Sequence, residues 1–168
     1  MHFFFRVILK EPKKKRRKLM KIALWEPFPL TETLLRNHLN KSETKNLVSV
    51  EKIKFGRHYD LVLFEGKFFP EEPFCSSDLW LVPASCTVKK LPRGTFLTGG
   101  MGIDDDISLS SIREESALIC IQREIVGKDR TLIPQEHRIP FDRNFTLYKN
   151  LAAGFALLWT EFFFGEEL

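Results

Sequence analysis

The segment YDLVLFEG, residues 59–66, limits the fold more than any other stretch of the chain. It carries four consecutive apolar residues, Leu61, Val62, Leu63 and Phe64. Side chains of a strand point alternately to its two sides, so an unbroken run of this kind suits a strand covered on both faces, as in a parallel sheet. Short apolar runs at 21–26 (KIALWE), 46–53 (NLVSVEKI), 79–86 (LWLVPASC) and 95–100 (TFLTGG) supply further strands. Helical spacing appears at 31–39, where Thr31 is placed to N-cap a helix that buries Leu34, Leu35 and Leu39. KSETK reads as a polar loop, and the Pro-punctuated stretch 67–78 as another.

Beyond residue 105 the pattern changes. DISLSSI (106–112), SALICIQREI (116–125) and TLIPQEHRIPF (131–141) read as half-buried antiparallel strands on short loops. Leu147, Leu151, Phe155, Leu158, Trp159 and Phe162 then recur at helical spacing within 144–164, with Asn144 or Thr146 as the cap. The expected fold is α/β: a mostly parallel sheet with flanking helices, an antiparallel β-ribbon in the C-terminal half and a long C-terminal helix. A chain of 168 residues suits one such domain, placed at 20–168.

Charge separates the first 19 residues from the rest. The chain has 26 Lys/Arg and 22 Asp/Glu, and residues 1–19 hold eight of the former and one of the latter. Residues 20–168 are therefore mildly acidic, and the basicity is concentrated in Lys13, Lys14, Lys15, Arg16, Arg17 and Lys18. Three readings of this run compete. It resembles a nuclear import signal, which requires a eukaryotic host. It suits an arm that binds nucleic acid or an anionic membrane through counterion release, without sequence readout. The third reading is that Arg16 and Arg17 are encoded by a ribosome-binding sequence and that translation starts at Met20. The reading adopted is a basic leader, disordered or untranslated, with nucleic acid as a partner only if the leader is part of the protein. Nothing else in the sequence supports nucleic-acid binding.

Catalytic signatures are sparse. TGGMGIDDD (98–106) runs a strand into Gly99, Gly100 and Gly102, whose backbone N–H groups suit a phosphate. It matches neither G-x-x-x-x-G-K-[ST] nor G-x-G-x-x-G, and three aspartates follow, so a sharp strand-end turn is the favoured reading. Asp104 and Asp106 are candidate Mg²⁺ or Ca²⁺ ligands, but the alternating spacing of a Ca²⁺ loop is missing and a solvated acidic turn is favoured. His38, His58 and His137 are scattered and read as surface or loop residues. On a strand through IQREI, Gln122 and Glu124 share one face and Arg123 takes the other. Cys75, Cys86 and Cys120 form no C-x-x-C and read as small buried residues in a reducing compartment. Trp25, Trp80 and Trp159 fall in apolar runs and read as core. No apolar run approaches the roughly 20 residues that span a membrane, and residues 1–18 have their charges after their apolar stretch, opposite to a secretory signal. The expected location is the cytoplasm.

Residues 95–125, TFLTGGMGIDDDISLSSIREESALICIQREI, and the following Gly127 to Glu136 resemble a small bacterial family of low-GC Gram-positive type. The matching positions are Gly99 or Gly100, then Ser110, Ser111, Ile112, Gln122, Arg123, Ile125, Pro134, Gln135 and Glu136. The same half of the chain is similar to the second part of the central domain of Mur ligases, the ATP-dependent amide-bond enzymes of peptidoglycan assembly. The parallels are Thr98-Gly99-Gly100, the ribbon 106–141 and KNLAAGFALL (149–158), with Asn150, Ala152 and Ala153. The loop that holds ATP phosphates in Mur ligases has no counterpart. The resemblance therefore implies a module without ATP turnover, without a cofactor, and with a protein or cell-wall-related ligand. Its expected ligand-binding residues are Gly99, Gly100, Gly102, Gln122 and Glu124.

Overall fold

A computed structural model describes residues 19–25, 30–127 and 131–164. Residues 1–18, and with them the basic run Lys13–Lys18, lie outside the described residues. The chain begins with strand β1 (Met20–Trp25), helix α1 (Leu30–Leu39), a 3-10 turn at Lys45–Leu47 and strand β2 (Val48–Lys52). Strands β3 (His58–Phe64), β4 (Phe68–Phe69), β5 (Ser76–Pro83), β6 (Thr87–Val88) and β7 (Thr95–Gly100) follow. The C-terminal half contains β8 (Ile107–Ser110), β9 (Ser116–Ile121), β10 (Ile125–Val126), β11 (Thr131–Leu132), β12 (Gln135–Pro140) and helix α2 (Leu147–Phe164).

Eight strands form one sheet in the order β12-β9-β8-β7-β5-β3-β1-β2. From β2 to β8 all neighbours are parallel, while β8-β9 and β9-β12 are antiparallel. The fold is α/β, as the apolar run at 61–64 predicts: Leu61, Val62, Leu63 and Phe64 are all buried, Leu61 and Leu63 in one core and Val62 and Phe64 in the other.

The two cores have different covers. Leu34, Leu35 and Leu39 of α1 and Leu151, Phe155 and Trp159 of α2 pack on one face, against Ile22, Leu61, Leu81, Leu97 and Ile119. The other face is closed by connections without helices, which contribute Ile53, Phe69, Cys75, Cys86 and Val88. A rule of constant crossover hand accounts for this split. The step from β1 to β2 moves outward in one direction, and the steps from β2 to β3, β5 and β7 move in the other. Crossovers of one hand then lie on opposite faces. Within the second layer, β4 and β6 pair with each other in parallel and serve as its only regular structure among the described residues.

Several boundaries differ from expectation. Helix α1 starts at Leu30, so Thr31 lies inside its first turn, buried, and is not its cap. Strand β5 starts at Ser76, inside the stretch read as loop, because its polar first residues pair with His58 and Tyr59 of β3; it ends at Pro83. The segment 116–125 is not one strand: β9 stops at Ile121. The segment 131–141 divides into β11 and β12. Helix α2 begins at Leu147, and Thr146 rather than Asn144 is the cap, its Oγ1 accepting the Lys149 N–H at 3.2 Å.

His38 departs from its surface reading. It is only 8% exposed on α1, and its Nε2 has no hydrogen-bond partner. Burial holds its pKa below the ordinary 6.5, helped by Lys41 and opposed by Asp142. His137 on β12 is lowered by burial as well, and its Nε2 is also unpartnered. For a base whose folded pKa is depressed, the unfolded chain binds the proton first as pH falls. Stability is therefore complete above about 6.5 and declines as pH falls from there toward the folded pKa. Chemical denaturation between pH 8 and 5 should show this decline, with a shallower slope in His38→Leu and the shallowest in His38→Leu/His137→Leu.

Candidate functional site

The predicted glycine segment lies at the carboxyl edge of the parallel strands. A groove of about 280 Å³ opens there. Pro83, Ala84 and Ser85 form one wall at the end of β5, and Gly99, Gly100 and Met101 form the floor at the end of β7. Leu147, Tyr148 and Leu151 from the first turns of α2 form the other wall. None of these side chains is charged, so the groove offers a mainly apolar surface, with Ser85 as its aliphatic hydroxyl residue and the Tyr148 hydroxyl engaged with backbone carbonyls.

The glycines are required by packing. A Cβ on Gly99 would stand 2.7 Å from Leu151 Cδ2, and one on Gly100 would overlap the Asp105 carboxylate and lie 2.9 Å from Ala84 Cβ. Helix α2 and the loop 101–106 thus close directly onto the backbone of β7. Gly102 donates its N–H to Asp105 Oδ2 at 2.7 Å, which fixes the turn.

The aspartates and the segment 122–124 serve the same loop. Asp106 accepts hydrogen bonds from the Thr98 N–H (2.8 Å) and Thr98 Oγ1 (3.3 Å) through Oδ2, and its Oδ1 pairs with Arg123. Arg123 also donates to the Phe96 carbonyl at 2.7 Å. Gln122 donates from Nε2 to Ser108 Oγ (2.8 Å) and to the Gly102 carbonyl (3.2 Å). Gln122 is therefore tied to the loop at Gly102, but of the expected ligand-binding residues only Gly99 and Gly100 line the groove, while Gly102, Gln122 and Glu124 do not. The expected alternation of Gln122, Arg123 and Glu124 on a strand is not found, because β9 ends at Ile121 and both Gln122 and Arg123 turn back to hold the β7–β8 connection. Glu124 is exposed outside the strand. Among the described residues no group of three His, Cys, Asp or Glu is placed to hold a metal ion, and Asp104 is exposed.

Three consecutive residues, Tyr148, Lys149 and Asn150, of which the sequence singles out only Asn150, attach α2 to this edge. Tyr148 Oη donates toward the carbonyls of Phe64 (2.6 Å) and Leu81 (3.1 Å), one on β3 and one on β5. Lys149 is 6% exposed; its Nζ lies 2.5 Å from Glu65 Oε2, just past β3, and 3.3 Å from Thr31 Oγ1 on α1. Asn150 is fully buried, its Oδ1 accepting the Asp142 N–H at 2.8 Å and its Nδ2 donating to the carbonyls of Asp142, Phe145 and Thr146. The resemblance position Asn150 is the sequence reading that falls here, and a lysine in an otherwise apolar helical period is the further signal that marks the place.

Of the remaining resemblance positions, Ser110, Gln135 and Glu136 lie in the antiparallel extension, and Ile125 lies in β10, which pairs with β11 as a separate ribbon. Ser110 Oγ contacts Cys120 Sγ at 3.3 Å, and that thiol donates toward Glu136 Oε1 at 3.5 Å. Ser111 takes φ +48° at the turn between β8 and β9. Cys75 is buried, which pushes its thiol up to about 11, and Cys86 and Cys120 are half-buried; all three are free. His58 is bonded to Ser76 Oγ (2.8 Å) and Asp78 Oδ1 (3.0 Å).

No family model, curated protein or solved structure matches the chain. No helix among the described residues is long and apolar enough to cross a membrane.

Removing one partner of a mostly buried ion pair leaves the other charge desolvated and unpaired. Lys149→Met should therefore lower stability by about 3 kcal/mol. The double variant Lys149→Met/Glu65→Leu should recover most of that loss, as read from urea midpoints. Tyr148→Phe, which removes a single hydroxyl, should cost about 1 kcal/mol.

Proposed function

We propose that this protein is a non-catalytic cytoplasmic binding module, with a core related to the central domain of Mur ligases but without the ATP-phosphate loop, whose ligand or partner belongs to cell-wall chemistry. The observation that carries this reading is the uncharged groove between the carboxyl ends of β5 and β7 and the first turn of α2. In open α/β sheets, ligands settle outside the carboxyl ends of the strands. The connectivity supports the relationship: a strand ending in Thr98-Gly99-Gly100, an antiparallel extension, and a helix with Asn150, Ala152 and Ala153 packed back on the sheet.

Absence of chemistry in the reading follows from the lining. No acid, base or thiol lines the groove, and the Asp105 and Asp106 carboxylates of the adjoining loop are engaged in fixing that loop. A volume near 280 Å³ suits one small apolar moiety, such as a side chain of a precursor peptide or of a protein partner, more than a whole nucleotide.

Leu147 lines the groove and is exposed, so its replacement tests the site without disturbing the core. Titration with peptidoglycan-precursor peptides should perturb the amide signals of Gly99, Gly100 and Ser85 in heteronuclear NMR spectra. Leu147→Glu should weaken that binding at least tenfold while changing stability by no more than about 0.5 kcal/mol. ATP turnover by the purified protein that disappears on altering residues 99–106 would overturn the non-catalytic reading.

A further inference from the structure

The face opposite the helices carries a second surface, built from three connections that cross it: residues 53–57, 65–75 and 84–94. Three phenylalanines point outward from this layer. Phe55 is 85% exposed and Phe68 73%, and Phe74 is also exposed. Single exposed apolar residues are ordinary, but Phe55 and Phe74 lie ring to ring, with Phe68 exposed on the same layer, and exposed apolar clusters mark interaction sites.

Phe55 has a defined place in spite of its exposure. It occupies a turn in which the Arg57 N–H reaches the Lys54 carbonyl at 3.5 Å and Gly56 adopts φ +70°, a conformation that L side chains rarely take. The Gly56 N–H donates to the Phe74 carbonyl at 2.7 Å, joining the first two connections. The rings of Phe55 and Phe74 lie within 16° of parallel, with centroids 6.4 Å apart. Phe74 packs on Trp25 at 4.6 Å, and Trp25 packs edge-on against Phe64 of β3 at 5.4 Å. Phe68 is adjacent to Phe69, which packs on Trp25, Trp80 and Phe96. Phe55 and Phe74 are thus the outer end of an aromatic series anchored in the core, and Phe68 is the exposed neighbour of the buried Phe69 on β4.

The same three connections carry Lys54, Arg57, Lys67, Lys89, Lys90 and Arg93. Their acids are Glu65, Glu71 and Glu72, and Glu65 is turned away to Lys149. Glu51 of β2 offsets part of the charge of Lys54 and Arg57, and Glu71 lies 3.9 Å from Lys89. A net positive layer remains on a domain whose residues 20–168 are acidic in sum.

We propose that this layer binds single-stranded nucleic acid, with bases stacked on Phe55 and Phe68 and phosphates held by the surrounding lysines and arginines. Interleaved aromatic rings and cations are what unpaired strands bind, since every base has a face to stack and every linkage a negative charge. A duplex hides those base faces. A second copy of the chain would bring two positive layers together, which like-charge repulsion opposes. The surface is independent of the groove at the carboxyl edge, and its cations are not those of residues 13–18.

The test uses the full chain and a fluorescein-labelled oligothymidylate followed by anisotropy at about 50 and 200 mM salt, a range over which phosphate contacts weaken strongly. Phe55→Ala and Phe68→Ala should each weaken binding about tenfold with an unchanged melting temperature. Lys54→Gln/Arg57→Gln should flatten the salt dependence. Lys13–Lys18 alone would bind any polyanion without regard to the rings, so equal affinity of the parent and both phenylalanine variants overturns the proposal. Absence of binding at 50 mM salt overturns it, as does duplex bound as tightly as single strand. Self-association that is lost in Phe55→Ala, without oligonucleotide binding, overturns it in favour of a protein contact.

Discussion

The architecture depends on the attachment of the first turn of α2 to the carboxyl edge of the sheet. Burial of α2 residues such as Leu151, Phe155 and Trp159 provides the attraction, but apolar burial is non-directional and leaves the helix free to slide. Tyr148, Lys149 and Asn150 remove that freedom, because each demands a specific polar partner on a different element. Tyr148 bridges two strand carbonyls, Lys149 joins β3 to α1, and Asn150 closes the entry loop 142–146 onto the helix. Buried polar groups are costly when unpaired, so this set fixes one register of helix on sheet. The groove follows from that register, since Leu147 and Leu151 stand over Gly99 only when the first turn sits where these bonds hold it.

Topology explains why the two faces differ so much. With α1 and α2 on one side, the reverse-moving crossovers are left to cover the other, and they do so without helices. Connections of this length bury too few aliphatic side chains to close a sheet face, and aromatic rings make up the area. Trp25, Phe64, Phe69, Trp80 and Phe96 form the network on that side, largely in edge-on contacts. Aromatic pairs favour such geometry and bury 150–250 Å² per ring by general estimate, about what a thin layer needs. The exposed phenylalanines are the outward continuation of this solution.

The main features of the fold were legible because they rest on local periodicity. The run Leu61–Phe64 implied a two-sided strand, and the 3.6-residue spacing from Leu147 to Phe162 implied the terminal helix. Boundaries failed where a partner distant in sequence decided them. Ser76–Asp78 looks like loop until β3 is alongside, and IQREI looks like strand until Asp106 and Gly102 turn Arg123 and Gln122 back. His38 reads as surface because its burial depends on neighbours distant in sequence, the segment around Asp142 among them. Of the expected site residues, Gly99 and Gly100 line the groove, and Gln122 bonds to the loop at Gly102 outside it. The polar anchors 148–150 were hidden in an apolar period, where their significance depends on Glu65, Thr31 and the carbonyls of Phe64 and Leu81.

Net charge misleads in the same way. A contiguous block such as Lys13–Lys18 draws the eye because it is dense along the chain. The cations of the outer layer are spread over three connections between residues 54 and 93, with acids between them in sequence, and no window of the sequence displays them together. Folding collects them, because the connections run side by side and Glu65 leaves for Lys149. Fields around a protein decay within about 8 Å at physiological salt, so a bound strand experiences the layer it touches and not the sum over the domain. An acidic domain can therefore present a basic, ring-bearing face, and the topology that puts both helices on one side is what creates that face.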